Sequence, residues 1–153
     1  MSQPAPALRR VALSPLPASL AARLEALLGA RFSRRAADCD SHGHGESWHP
    51  AQPPHAVCFA HTTAEVAAIV RACADHRVPV VPFGAGTSLE GHVCAVEGGV
   101  SLDLSGMTAI RAVRPDDLDA TVEAGVTRKQ LNAHLRDMGL FFTIDPGEEC
   151  TMG

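Results

Sequence analysis

The stretch of sequence that decides the fold reads Val80-Val81-Pro82-Phe83-Gly84-Ala85-Gly86-Thr87-Ser88-Leu89-Glu90-Gly91. It begins as an apolar run with strand character and opens, after Pro82, into a loop rich in glycine. Glycine lets backbone N–H groups approach a ligand closely, and successive N–H groups in a turn form a concave site for anions. The hydroxyls of Thr87 and Ser88 add further donors. The pattern therefore predicts a loop that binds a phosphate or a pyrophosphate.

Two familiar nucleotide-binding motifs do not fit this loop. A Walker A loop places Lys and then Ser or Thr after its last glycine, whereas His92 follows Gly91 here. The dinucleotide fingerprint needs a third glycine three residues after Gly86, and that position is Leu89. Gly-x-Gly alone is also the sequence of a plain tight loop. The wider context therefore has to decide between a phosphate-binding loop and a tight loop without a ligand.

Hydrophobic periodicity predicts the elements around the loop. The predicted helices cover 16–28, 62–76 and 127–138. Gly29 and Gly139 are placed to end the first and the last of these helices, and Thr62 and Thr127 begin capping boxes. The predicted strands cover 57–59, 78–81, 100–104, 110–113 and 120–122, and 34–54 is predicted to be a polar loop. In strand 100–104, Ser101 and Asp103 alternate with apolar residues.

These elements predict an α+β fold. A strand, a helix and a second strand between 57 and 81 form a βαβ unit, which predicts a small parallel sheet. The later strands predict a second sheet of mixed or antiparallel pairing beside the first. The ligand of the glycine loop is expected between the two sheets.

The residues 79–93 closely resemble the FAD-binding domain of the vanillyl-alcohol oxidase/p-cresol methylhydroxylase (PCMH-type) family. Within that family, they are most similar to the branch of D-lactate dehydrogenase (cytochrome) and the glycolate oxidase subunit. The resemblance continues at 99–105, 122–127 and 139–147. Matching motifs run in order from about 54 to 153, with a weaker likeness at 40–49. The resemblance divides the chain into two parts. Residues 1–54 are an N-terminal helix and a polar loop, and residues 55–153 are an incomplete PCMH-type FAD-binding domain.

The resemblance implies FAD as cofactor. It assigns the pyrophosphate to a first loop, Pro82, Phe83, Gly84, Ala85, Gly86, Thr87, Ser88 and Gly91, and to a second loop, Pro146, Gly147, Thr151 and Gly153. In the second loop, Glu148 and Glu149 stand where the family commonly has Ala and Asn or Asp. Two carboxylates would repel a pyrophosphate unless they point to solvent.

The resemblance also implies a reaction. Full-length relatives oxidise a D-2-hydroxy acid to a 2-oxo acid, pass a hydride to FAD and give the electrons to another acceptor. No catalytic acid or base is assigned in this chain. Because the sequence stops inside the second loop, we expect an N-terminal part of such an enzyme. The alternative is an inactive truncated fragment that binds flavin weakly or serves as a scaffold.

Composition and charge exclude other classes. Hydrophobic residues at 46% and charged residues at 20% are typical of a folded globule. A net charge of −4 offers no basic field for nucleic acid, and no apolar run is long enough for a membrane span. Five cysteines without paired spacing indicate reduced thiols. We therefore expect a bacterial cytoplasmic protein, and the arginines near the N-terminus make a mitochondrial presequence the weaker alternative.

Several histidines form a second visible group: His42, His44, His49, His55 and His61, with Cys39 and Cys58 nearby. Imidazoles and thiolates are zinc and copper ligands. The spacing matches neither CxxC nor a helical pair of ligands, so the sequence predicts a solvated histidine-rich loop without a metal. For His92, a structural role is favoured over contact with the phosphate.

Overall fold

The described residues form two sheets, and the first of them carries the glycine loop. The structure, a computed structural model, describes residues 15–145 and 147–153. Four strands are arranged in the order β1-β2-β4-β3: β1 (Phe32–Ser33), β2 (Ala56–Phe59), β3 (Val80–Phe83) and β4 (Val100–Asp103). Strands β2 and β3 both pair with β4 in parallel, and β1 pairs antiparallel with β2. β4 is thus the central parallel strand.

The second sheet is a two-stranded antiparallel ribbon. It consists of β5 (Ile110–Arg114) and β6 (Asp119–Val122), with a register shift between Ile110 and Ala112. A short 3₁₀ turn, Pro115–Asp117, connects the strands and ends at Leu118 in the left-handed region. The predicted α+β class, with a small parallel sheet beside an antiparallel one, is confirmed.

In the described part of the chain, four α-helices accompany the sheets: α1 (Ala18–Leu28), α2 (Ala36–His42), α3 (Thr63–Asp75) and α4 (Arg128–Leu135). The predicted capping box at α4 is complete, because Thr127 Oγ1 accepts from the Gln130 N–H and the Gln130 side chain accepts from the Thr127 N–H. At α3 only half of the predicted box forms. Thr62 accepts from the Glu65 N–H, but the Glu65 carboxylate binds Arg31 and the His61 N–H instead.

The main core lies between the first sheet and the helices α1 and α3. Its fully buried side chains include Leu20, Leu24, Ile69, Cys73 and Val100. Burying each large aliphatic side chain contributes about 1.5–3 kcal/mol, so this layer stabilises the sheet that carries the glycine loop. A smaller cluster of Val126, Leu131 and Leu135 holds α4 against the second sheet.

Two predictions about this sheet fail for tertiary reasons. The segment 34–54 is not only a loop, because it contains α2, which packs on the sheet face opposite to α1 and α3. Since both faces are covered, all four residues of β4 are buried, including Ser101 and Asp103. The polar alternation in β4 is typical of a strand with one solvated face, but here Asp103 pairs with His42 of α2 and Ser101 is fully buried. The second wrong prediction is the sheet of strand 100–104: the later strands were expected to form the second sheet, but β4 lies in the first sheet, between the two strands of the predicted βαβ unit.

Candidate functional site

The glycine loop leaves the first sheet where its parallel strands end together. Phe59, Phe83 and Asp103 are the last residues of β2, β3 and β4, and the ladder register aligns all three. The edge beyond the carboxyl ends of parallel strands is where ligands commonly bind in α/β sheets. The Leu104 N–H donates to the Phe83 carbonyl (2.9 Å) and extends this edge by one residue.

A cavity of about 240 Å³ lies at this edge. Its lining comes from the end of β3 and the glycine loop, from β4, and from the last residues of the chain. The lining residues are Pro82, Phe83, Gly84, Ala85, Gly86, Thr87, Ser88, His92, Val93, Leu104, Cys150, Thr151 and Gly153. The first and second predicted loops therefore meet around one cavity.

The backbone of residues 84–88, which we call the cradle, carries unused donors. These residues belong to no helix or strand. Within the described part of the chain, none of their N–H groups donates to a protein acceptor. Unpaired N–H groups are costly unless water or a ligand accepts from them. The cradle can therefore supply several N–H donors to an anion in the cavity.

Two glycines make this geometry possible. Gly86 has φ +71°, and a side chain there would place its Cβ 3.0 Å from Cζ of Phe83. A Cβ on Gly84 would contact Thr151 and would lie 2.9 Å from the Gly153 carbonyl oxygen. Gly84 therefore allows the first loop to touch the second, and Gly86 allows the turn to close over the Phe83 ring.

The second loop is fixed by backbone pairing. Thr151 forms an antiparallel bridge with Thr127, and the Met152 N–H donates to the Val126 carbonyl (2.8 Å). The Gly153 N–H donates to the Ala124 carbonyl (2.9 Å). Because this short pairing continues into the N-terminus of α4, the second loop is positioned by the second sheet and its helix.

The structure brings most of the predicted site residues together. Nine of the twelve line the cavity: Pro82, Phe83, Gly84, Ala85, Gly86, Thr87, Ser88, Thr151 and Gly153. Gly91 does not; a Cβ there would lie 2.7 Å from the His49 ring. Gly147 is exposed and outside the lining, and Pro146 lies outside the described residues. Glu148 and Glu149 are exposed and do not line the cavity, which removes the expected repulsion.

Four lining residues were not predicted: His92, Val93, Leu104 and Cys150. His92 Nδ1 lies 3.0 Å from Ser88 Oγ, and Ser88 Oγ also accepts from the Glu90 N–H (3.3 Å). Because the two hydrogen bonds fix the Ser88 hydroxyl at the cavity, His92 belongs to the site through Ser88. The feature of the sequence that could have indicated this contact is the position of His92, four residues after Ser88.

A buried ion pair lies behind the cradle. His42, at the end of α2, and Asp103, at the end of β4, are both less than a tenth exposed. His42 Nε2–H donates to Asp103 Oδ2 (2.9 Å), and the Ser105 N–H donates to Asp103 Oδ1 (2.7 Å). Burial opposes both charges, but the hydrogen bonds outweigh it. The pKa of His42 is therefore raised above its usual value, and the pKa of Asp103 is lowered.

The placement of His42 corrects the prediction of a solvated histidine-rich loop. His42 is buried on a helix, whereas His44, His49 and His61 are exposed. A buried central strand that contains an aspartate requires a partner for its carboxylate. The aspartate in the otherwise apolar strand 100–104 was thus the feature of the sequence that could have indicated a buried histidine partner. Across residues 15–145 and 147–153, no three His, Cys, Asp or Glu side chains converge on a possible metal position.

A family model described as "FAD binding domain" matches residues 54–153. The match spans the glycine loop, the whole cavity lining and the second sheet. The chain belongs to this family of FAD-binding domains. The predicted resemblance and the predicted cofactor, FAD, are confirmed at the level of the family.

Two similar curated relatives of this FAD-binding domain are named D-lactate dehydrogenases. The "Probable D-lactate dehydrogenase, mitochondrial" of Danio rerio is 45% identical over 113 residues, which cover 74% of this chain and 23% of the relative. The "D-lactate dehydrogenase [cytochrome], mitochondrial" of Arabidopsis thaliana is 41% identical over 100 residues, covering 65% and 18%. The chain thus spans about a fifth of the length of these relatives.

Solved structures show the same fold. An alkyldihydroxyacetonephosphate synthase superposes with a TM-score of 0.81 at 21% identity, over 97% of this chain and 31% of its own. A p-cresol methylhydroxylase superposes with a TM-score of 0.71 at 25% identity, over 80% and 25%. The predicted PCMH-type fold is confirmed by these two similarities.

The predicted location is wrong. The relatives from Danio rerio, Arabidopsis thaliana and Saccharomyces cerevisiae are all named mitochondrial, which contradicts a bacterial cytoplasmic protein. The prediction relied on the composition of an N-terminal segment rich in Ala and Arg, and composition does not separate a bacterial start from a presequence. Residues 1–14 lie outside the described part of the structure. In the described part, the helices are too short or too polar to cross a membrane.

Proposed function

We propose that the cavity binds the pyrophosphate of FAD. The observation that carries this proposal is the cradle, whose N–H groups have no acceptor among the residues that the structure describes, although the cradle residues line the cavity. An anion with several oxygens satisfies such donors, and hydrogen bonds to an ionised acceptor are stronger than those between neutral groups. The Thr87 and Ser88 side chains line the same cavity and offer hydroxyl groups. No acidic side chain is among the lining residues.

The division of roles follows from the two loops. We propose that the first loop holds the pyrophosphate with backbone donors and that Thr151 and Gly153 close the cavity from the other side. Thr151 Oγ1 donates to the Gly153 carbonyl (2.8 Å), so this pair is held in place before a ligand arrives. Residues 55–153 would form the first part of the FAD-binding domain, with residues 1–54 as an N-terminal extension.

For the whole protein we propose an FAD-dependent oxidoreductase that acts on a D-2-hydroxy acid and delivers the electrons to a separate acceptor. The names of the relatives support this reaction class. FAD supplies the hydride-accepting centre when bound, and the residues described here supply only the site for its phosphates. Substrate selection and proton transfer are therefore assigned to none of the cavity residues.

A substrate panel tests the reaction class. The protein that contains this chain together with the region its relatives carry after it should be purified and its visible spectrum recorded. We expect a flavin spectrum and dye reduction with D-lactate or glycolate but not with L-lactate. A flavin-free protein would contradict the cofactor, whereas a flavoprotein that oxidises none of the 2-hydroxy acids would contradict the reaction class alone.

A further inference from the structure

The ring of His42 is held by two acceptors. Nδ1–H donates to the Asp38 carbonyl oxygen (2.8 Å), and Nε2–H donates to Asp103 Oδ2 (2.9 Å). The Ser41 hydroxyl also lies 3.2 Å from Nδ1, while it donates to the same Asp38 carbonyl. The Asp38 carbonyl and the ionised Asp103 carboxylate can only accept, and a neutral imidazole has only one N–H, so the two contacts together fit the doubly protonated ring. The orientation of the ring is fixed from both sides.

The fixed ring packs on Phe83, the residue directly before the cradle. Its centroid lies 4.2 Å from that of Phe83, with 41° between the ring planes, and 5.5 Å from that of Phe59. Phe83 also ends β3 opposite Asp103, and its carbonyl accepts from the Leu104 N–H. The Phe83 backbone is therefore held by β4, and one face of its side chain is held by His42.

The Phe83 ring in turn lies beneath the turn of the cradle. Its Cζ and Cε2 atoms are 3.0 and 3.3 Å from the position that a Cβ on Gly86 would take. Gly86 has φ +71°, and at this residue the cradle backbone passes close to the ring. Movement of the ring would move the backbone above it, because the gap has no room for another atom.

We infer that His42 is a positioning residue that holds the cradle in its ligand-binding shape through the Phe83 ring. The inference rests on the proposed function, because it concerns the same cavity. His42 does not line the cavity, and its charge is balanced by Asp103, so it acts by holding the ring and not by attracting the phosphate. Without the imidazolium, Asp103 would be a buried charge without its ion partner, and Phe83 would lose packing on one face.

A double-variant cycle tests this inference. The variants are His42→Gln, Phe83→Leu and both together, and the affinity for FAD is measured from the amide shifts of residues 84–88 in ¹⁵N-labelled chain. We expect each single change to weaken binding roughly tenfold and the double change to weaken it little further, because both remove the same support. The matched control is Glu65→Gln, which breaks the partly buried pair with Arg31 outside the cavity lining. It should lower stability and leave the affinity unchanged.

The outcomes separate the inference from the proposed function. Additive losses, or an equal loss of affinity in Glu65→Gln, would overturn the role of His42. If the wild-type chain shows no response to FAD, the proposed function fails. The inference can still be tested, because the amide shifts of residues 84–88 in ligand-free His42→Gln, compared with those of ligand-free wild type, show whether the conformation of the cradle has changed. Unchanged shifts there would overturn the inference. Should His42→Gln not fold, the variant His42→Gln/Asp103→Asn removes the ring without leaving a buried unpaired charge. Unchanged amide shifts of residues 84–88 in that ligand-free variant would likewise overturn the inference.

Discussion

Replacing Gly86 by alanine isolates the contact that shapes the cradle. Gly86 has φ +71°, and Gly139 has φ +69°, so both positions impose nearly the same left-handed strain on an alanine. That strain costs about 1–2 kcal/mol. A Cβ on Gly86 would lie 3.0 Å from Cζ of Phe83, whereas a Cβ on Gly139 would have nothing within 4 Å. Gly139→Ala is therefore a control for strain without the steric contact.

The difference between the two variants gives the magnitude. Carbon atoms pack best at about 3.5–4.0 Å, so the Gly86 methyl requires the ring or the turn to move by about half an ångström or more. Crowding of this kind costs about 1–3 kcal/mol. If the loop relaxes in the free protein, the same cost appears on binding as a loss of about 5- to 150-fold in affinity.

The assay combines urea unfolding with FAD titration on both variants. We expect Gly86→Ala to lose more than Gly139→Ala in the free energy of unfolding, in affinity for FAD, or in the two together. If the two variants match in both measurements, then the Phe83 ring does not support the turn and the reasoning about the cradle is refuted.

Three further predictions concern the surroundings of the cavity. Gly84→Ala should destabilise the chain by about 1–3 kcal/mol in urea unfolding, because the new methyl group meets Thr151. Adding Thr151→Ala should recover part of this loss, whereas additive losses in the free energy of unfolding would mean that the two loops do not touch. The pKa of His42 is raised in the fold, so the protonated ring stabilises the fold below about pH 6.5, and this stability is lost as the pH rises through the folded pKa. The pKa of Asp103 is lowered, so its carboxylate stabilises the fold above about pH 4. Wild type should therefore lose more stability than His42→Gln between about pH 6 and pH 9. Equal losses in urea midpoints would contradict the ion pair. Thr127→Ala removes the cap of α4 and should cost about 1 kcal/mol of unfolding free energy, against no change if the cap is unimportant.

Local signals in the sequence predicted the elements whose causes are local. The capping box of Thr127 and Gln130 and the glycine after α4 lie within a few residues of what they determine. The cradle was predicted for the same reason, because glycine spacing and hydroxyl residues act on their own backbone. Most of the predicted first loop consequently lines one cavity.

The long-range features were missed because they depend on strand order. The sequence around Val100 does not indicate that β4 inserts between β2 and β3. This insertion makes β4 a central strand with a neighbour at each edge, and all its residues, including Asp103, are buried. Once Asp103 is inside, its carboxylate needs a partner from 61 residues away, which is His42. The short helix α2 has no side-chain cap and follows from this packing more than from its own sequence.

The most direct test of the central claim is a comparison of three ligands on ¹⁵N-labelled chain. FAD and ADP share a pyrophosphate, whereas riboflavin carries the flavin ring without phosphate. Because the cradle supplies only phosphate contacts, we expect weak binding and the largest amide shifts at residues 84–88 with both FAD and ADP, and none there with riboflavin. Shifts at residues 84–88 caused equally by riboflavin, or their absence with FAD and ADP, would contradict the claim that this loop binds the cofactor's pyrophosphate.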